Sequence, residues 1–267
     1  MQVEDICSVA VSKDGRFIAA GSQNGQVLVW DATTYKQVFV GELGSIDPTC
    51  DVDFSPDSTR LVTGHFIRTA TIWDIAAGQK VRALNHPSVH SARYSPQGDR
   101  IATASYALVR VWDSNNGRLL LDTNVSVLAR SMLWSNNHLF VTANDSTIKQ
   151  INAETGSTTF EWPVRVDGRS CIALSQHGKF IAHSTSSTLT FWDITTHTQS
   201  GPVQHFDNLR SFACSPDGLL LAIVTGEKII VRDLYSVRSR FVLVCFVSRF
   251  RSVFTTSVFP HIPGPRT

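Results

Sequence analysis

The sequence predicts an all-β fold built from repeats, a β-propeller with six recognisable four-stranded blades, and three observations carry that expectation. A turn serine recurs at Ser12, Ser55, Ser95, Ser135, Ser175 and Ser215, first after 43 residues and then every 40. A second track falls at Trp30, Trp73, Trp112, Ile151, Trp192 and Arg232, at intervals of 39 to 43 residues. Within each period, short apolar runs of strand length alternate with polar turns, and no helical periodicity appears. Periods of roughly 20 to 50 residues indicate stacked supersecondary units, and four strands per period describe one propeller blade.

The units run at about residues 6–40, 41–84, 85–124, 125–164, 165–204 and 205–236. The first starts directly on an inner strand at Ile6, with too few residues before it to supply a ring-closing strand. The second, FSPDSTRLVTGHFIRTATIWD from Phe54 to Asp74, gives the pattern in full. The third is the easiest to divide: Ile101 to Ala104 and Val109 to Trp112 are apolar runs, Asn115-Asn116-Gly117 is a turn, and Leu119 to Leu121 is a fourth strand. The fourth is the most divergent, with Trp134-Ser135-Asn136-Asn137-His138 at its turn and Ile151-Asn152 at its end. The fifth recovers with Phe191-Trp192-Asp193, and the sixth has Ser215-Pro216-Asp217-Gly218 followed by Arg232-Asp233.

These turns, with the endings Trp30-Asp31, Trp73-Asp74, Trp112-Asp113 and Trp192-Asp193, resemble the WD-repeat (Trp-Asp, G-protein β-type) propeller family over about residues 6–236. The resemblance implies six blades, or six units of an incomplete seven-bladed ring. It also implies a hydrogen-bond network in each blade that joins the tryptophan, a Ser or Thr, a histidine and an aspartate in the turn between the second and third strands. His86 falls at the histidine position of the third unit and His205 at that of the sixth. The turn offers Asn24, Arg68 and Asp145 in three units and only Tyr106, Ser187 or Gly226 near it in the others. Substitutes, or modest stability, are therefore expected, because a buried N–H left without an acceptor costs about 1–3 kcal/mol.

Charge is unevenly distributed. Residues 1–236 carry 19 Lys and Arg against 22 Asp and Glu, whereas the last 31 residues carry five Arg and no acid. The propeller is thus not basic, which argues against a nucleic-acid partner. After Ser236 the repeat pattern stops, and residues 237–267 read as a divergent basic C-terminal tail. Its first apolar stretch, Phe241 to Val247, is expected to supply the outer strand of the sixth blade. The five cysteines form no Cys-x-x-Cys pair and read as reduced thiols of a cytoplasmic or nuclear protein. No signal segment and no membrane span is expected.

No catalytic constellation is found: the sequence lacks a Gly-x-Ser-x-Gly elbow, a phosphate-binding loop and a His-Glu-x-x-His pair. No cofactor and no metal is expected; His86 and His90 are spaced by four, but around Pro87 and without a third ligand. Asp51 and Asp53 stand two apart on an inner strand and so share a face. They read either as a paired-carboxylate site or as partners of Arg93 where adjacent blades pack. The resemblance implies a non-catalytic protein-interaction scaffold that binds protein or peptide partners on one loop face. By register, that face holds Asn24, His65, Arg68, His90, Tyr106, Arg130, Asp145, Arg169 and Arg210, and Arg, Tyr and His favour interface anchor positions.

Three alternatives stand beside the scaffold. The first is a substrate-recognition subunit of a ubiquitin ligase, although Thr33, Ala76, Asn115 and Thr195 occupy the positions where such members often carry Arg or Lys. The second is a propeller enzyme, a hydrolase or quinone-type dehydrogenase, with Asp51, Asp53, His90 and Arg130 converging on the channel. The third is a truncated, nonfunctional fragment, suggested by the step in composition after Ser236.

Overall fold

The computed structural model describes residues 6–42, 47–67, 69–106, 108–125, 127–167, 170–175, 179–214, 220–226 and 228–233, without the side chains of 127–131 and 233. They form six antiparallel sheets in a ring. The first blade is β1 (Ile6–Val11), β2 (Phe17–Ser22), β3 (Gln26–Asp31) and β4 (Gln37–Glu42). The second is β5 (Thr49–Phe54), β6 (Arg60–His65), β7 (Ala70–Asp74) and β8 (Gln79–Leu84). The third is β9 (Ser91–Tyr94), β10 (Arg100–Ala104), β11 (Leu108–Asp113) and β12 (Leu119–Asn124). The fourth is β13 (Val127–Ser135), β14 (His138–Ala143), β15 (Thr147–Asn152) and β16 (Thr158–Pro163). The fifth is β17 (Cys171–Leu174), β18 (Phe180–Ser184), β19 (Thr188–Asp193) and the two-residue β20 (Gln204–His205). The sixth shows three strands among the described residues: β21 (Leu209–Cys214), β22 (Leu220–Thr225) and β23 (Ile229–Asp233).

Both sequence tracks have a physical cause in the turns. The turn serine closes the first hairpin of a blade: its Oγ accepts the backbone N–H five residues on, from Phe17 to Ser12 (2.8 Å), Arg60 to Ser55 (2.9 Å), Arg100 to Ser95 (3.0 Å) and Phe180 to Ser175 (3.0 Å). The aspartate of each Trp-Asp caps the turn after the third strand. Asp31, Asp113 and Asp193 each accept the N–H groups two and three residues on, and Asp74 accepts that of Ala77. These bonds hold the carboxyls of Asp31, Asp113 and Asp193 below the usual range. Asn152 makes the same two contacts with Glu154 and Thr155, so the divergent fourth unit keeps the turn without the acid.

Inner strands touch in chain order, β1 with β5, β5 with β9, β9 with β13, β13 with β17 and β17 with β21. Each of the five junctions has its own apolar cluster. Phe39, Phe54, Leu61 and Trp73 pack between blades one and two, and Leu84, Tyr94, Ile101 and Trp112 between two and three. Val109, Met132 and Ile151 fill the third junction, Phe140, Trp162 and Ile181 the fourth, and Leu189, Phe212 and Ile223 the fifth. Alternation along each strand thus feeds one junction from each face, which is why the apolar runs are nearly continuous.

Candidate functional site

The inner strands of the first three blades meet at Asp51, which is 1% exposed. Its Oδ1 accepts Ser8 Oγ of blade one (3.1 Å), and its Oδ2 accepts Ser91 Oγ (2.8 Å), the Ala92 N–H (3.1 Å) and the Arg93 guanidinium of blade three. Asp53 accepts the Tyr94 N–H at 2.8 Å. Burial pushes Asp53 up to about 6, against the pull of Arg93, while Asp51 and Asp53 together hold the Arg93 guanidinium above its ordinary range. Both carboxylates therefore point between blades. The close ion pair of Arg93 is therefore with Asp51, two residues before the Asp53 that the repeat register matched to it.

In blade three the Trp112 Nε1–H donates to Thr103 Oγ1 (2.8 Å), which bonds His86 Nδ1 (2.7 Å), and His86 Nε2 meets Ser105 Oγ at 3.0 Å. Ser105 stands in for the missing turn aspartate. Burial, with Arg110 nearby, pushes His86 down to about 4, so its imidazole is neutral at pH 7. In blade two the Trp73 Nε1–H donates to Thr63 Oγ1 (2.9 Å), and His65 bonds both Thr63 (2.8 Å) and Thr49 (3.4 Å). His65 is completely buried. It serves the network of its own blade and does not line the loop face, which corrects the register reading. His205 is likewise not a network residue of the sixth blade: it is exposed on β20 of the fifth, opposite Thr188.

Two aspartates from blade-entry loops take over the capping of the turns between second and third strands. Asp47 Oδ1 accepts the Ile67 N–H at 2.7 Å, and Asp167 Oδ2 accepts the Ser186 N–H at 2.7 Å. Sequence reasoning looked for this carboxylate inside the turn and missed it in the loop before the blade.

On the loop face above blades two and three, these supports hold an apolar patch. Phe66, Ile67 and Tyr106 are 44%, 61% and 55% exposed, while His90 beneath them is 4% exposed. The His90 ring lies 5.1 Å from Phe66 and 4.1 Å from Tyr106, edge-on to both. The backbone fixes the arrangement: the Val89 N–H donates to His65 O (3.0 Å), the His90 N–H to Ala104 O (2.9 Å) and the Phe66 N–H to Pro48 O (3.0 Å). Phe66 and Ile67 were not among the expected site residues; two consecutive large apolar side chains in a turn were the available signal.

Of the remaining expected face residues, Asn24 is exposed and bonded to Ser22, and Asp145 is exposed and paired with Lys149 at 2.8 Å. Arg210 is partly buried at the start of β21. Arg130 lies in β13 with its side chain outside the described residues, as are Arg68, Arg169 and the whole of 237–267. No group of three or more metal-ligating side chains occurs among the described residues. The structure thus brings His90 and Tyr106 together and spreads Asn24, Asp145 and Arg210 over other blades.

Comparisons with known proteins agree with this architecture. The WD domain, G-beta repeat family model matches residues 3–31, and a model described as outer membrane protein assembly factor BamB matches residues 67–201. The chain is 25% identical over 230 residues to the transcriptional corepressor LEUNIG_HOMOLOG of Arabidopsis thaliana, covering 84% of this chain and 24% of that protein. It is 30% identical over 97 residues to the protein groucho of Drosophila melanogaster, covering 36% and 13%. It is 21% identical to WD repeat-containing protein 18 of Danio rerio, covering 79% and 55%. The chain therefore spans from 13% to 55% of the length of these relatives. The β-propeller domain of Myceliophteria thermophila Cps50 (Swd1) superposes with a TM-score of 0.74 at 15% identity, over 87% of this chain and 83% of that one, which shows a common fold.

Proposed function

We propose, from the premise that the chain belongs to the WD-repeat β-propeller family, that it is a non-catalytic scaffold whose partner-binding surface is the loop face above blades two and three. Propellers of this family in general bind proteins. The observation that carries the location is the exposed Phe66–Ile67–Tyr106 patch seated on buried His90. Aromatic side chains held rigid by a buried neighbour lose little entropy on contact, and such anchors dominate interface energetics. The enzyme alternative loses its main residues, since Asp51 and Asp53 are committed to the junctions between inner strands. A cytoplasmic or nuclear site of action goes with this reading; among the described residues no helix is long and apolar enough to cross a membrane.

The test compares Phe66→Ser/Tyr106→Ser with a rim control, Leu119→Ser/Leu120→Ser, in quantitative affinity capture. Both pairs remove exposed apolar side chains, so folding is expected to survive in each. Partner recovery falls at least about tenfold for the first pair, the equivalent of about 1.4 kcal/mol, and is unchanged for the second. Equal recovery from both would remove this face from consideration.

A further inference from the structure

Four residues before the turn serine, the six units carry Ser8, Asp51, Ser91, Ser131, Cys171 and Ser211; two before it they carry Ala10, Asp53, Arg93, Leu133, Ala173 and Ala213. At the first position the repeat uses a small side chain everywhere except Asp51, and at the second a basic side chain stands only at Arg93. What the small side chain does is visible between blades one and two, where Ser8 Oγ accepts the Val52 N–H at 3.3 Å and so ties one inner strand to the next. Asp51 makes the equivalent bond to the Ala92 N–H at 3.1 Å. It then adds two more, from Ser91 Oγ at 2.8 Å and from the Arg93 guanidinium, which also folds back on Ala92 O at 2.8 Å. One carboxylate thus holds three consecutive residues of the four-residue strand β9, through bonds that an ionised acceptor makes about twice as strong as neutral ones.

Stability alone gives no reason for this device. A buried ion pair is often no more stabilising than well-packed neutral side chains of the same volume, and these two positions bring no second acid and base together at any other junction of the repeat. The loop end of the junction supplies the reason. His90 immediately precedes β9, its N–H is fixed to Ala104 O, and its ring is the buried floor that touches both Phe66 and Tyr106. Ser91, the next residue, pairs with Ala104 in the sheet and is itself one of the donors to Asp51. The carboxylate therefore acts one residue away from His90, whereas the bond from the Tyr94 N–H to Asp53 lies at the opposite end of the strand.

We propose that Asp51 is a positioning residue for the partner face: with Arg93 it anchors β9 through Ser91 and Ala92, and so holds the His90 ring against Phe66 and Tyr106. The proposal rests on the reading of that face as the partner surface. Asp51, buried between blades, touches no partner and acts only through His90.

Asp51→Ser/Arg93→Ala gives this junction the residues found at the same positions in other units. It removes both charges of the pair together and keeps a hydroxyl for the Ala92 N–H, and a cooperative urea transition checks that the chain folds. Asp53→Asn is the control, since it stresses the same junction at the far end of β9. In full-length chains carrying 13C-labelled histidine, phenylalanine and tyrosine, magnetisation transfer from the His90 ring to the Phe66 and Tyr106 rings reports the contact, with His90→Gln identifying its signals. Transfer is expected in the unaltered chain and in Asp53→Asn, and is expected to be lost in Asp51→Ser/Arg93→Ala. Partner recovery in the affinity capture falls about two- to thirtyfold in the same variant, the range for residues that act through others. Transfer that persists in the folded double variant overturns the proposal, and so does equal loss in Asp53→Asn, which would mean general loosening of the junction. Transfer lost with recovery unchanged overturns it too, provided that Phe66→Ser/Tyr106→Ser lowers recovery. If that pair has no effect either, the face itself is wrong and the proposal falls with it.

Discussion

Blades three and five carry the same Trp-Asp ending, and they differ in what stands behind the tryptophan. In blade three Thr103 receives the Trp112 N–H and passes the chain of bonds on to His86 and Ser105. In blade five the corresponding strand position is His183, since Ile181 pairs with Trp192 as Ile101 pairs with Trp112. Among the described residues neither Trp192 Nε1 nor His183 Nε2 has a hydrogen-bond partner, and the Trp162 Nε1 and Ser184 Oγ atoms nearby in sequence and blade order have none either. A repeat motif therefore preserves the shape of a blade without preserving its polar bookkeeping. The first three blades are tied through Asp51, while the described side chains between the fourth and fifth form an apolar cluster beside the unpartnered Trp162 and Trp192 N–H groups.

The largest expected effect tests the tied side. Asp51→Ala removes every bond that its carboxylate makes and leaves the buried Arg93 guanidinium without its hydrogen-bonded partner, with only Asp53 near it. Loss of one partner of a buried pair costs about 3–5 kcal/mol, so urea unfolding should show a large fall in midpoint. A fall of under about 1 kcal/mol would mean that the junction is wet or relaxed, and would weaken the contrast with blades four and five.

Thr103→Val comes next, because it strips the acceptor from Trp112 at nearly constant volume. The expected loss is about 1–3 kcal/mol. The converse change, His183→Thr, gives blade five the hydroxyl that blade three has. It is expected to raise stability by about 1 kcal/mol, the gain from a new bond to Trp192 outweighing the lost imidazole packing. Destabilisation by both substitutions would show that His183 is held by its packing, and the comparison would fail.

How far this contrast could be read from the sequence depends on the kind of residue. The blades themselves were legible, because the turn serine and the Trp-Asp aspartate are local devices: each accepts backbone N–H groups a fixed number of residues on, so spacing and chemistry coincide. His86 was legible for the same reason of register. His65 was misassigned because Thr49 and Thr63 draw it inward from the adjoining turn, a long-range arrangement that no local pattern encodes. Asp51 rather than Asp53 makes the close ion pair with Arg93, a contact between blades that the repeat spacing alone does not specify. On the loop side, His90 and Tyr106 stand together where the repeat register puts them, while Phe66 and Ile67 beside them were not among the expected residues.

The smallest effect is a dependence on pH. Asp53, raised to about 6 beside Arg93 and Asp51, takes up its proton more readily folded than unfolded, so its contribution grows as pH falls from about 6 towards 4. His86 and His183, both pushed by burial down to about 4, act oppositely: their contribution is complete above the ordinary histidine range and is lost as pH falls from about 6.5 through 4. Asp53→Asn keeps an acceptor for the Tyr94 N–H and removes only the first contribution. Its melting temperature should therefore fall more steeply than that of the unaltered chain between pH 6.5 and 4.5. Parallel curves would mean that the carboxyl of Asp53 is not perturbed by its junction.

The most direct test of the scaffold reading places a photo-activated benzoylphenylalanine at position 106 of the loop face, and separately at position 119 on the rim, in the full chain inside cells. The account predicts discrete protein adducts from position 106 and few or none from position 119. Adducts confined to position 119, or equal patterns from both, would contradict a partner surface built on Phe66, His90 and Tyr106.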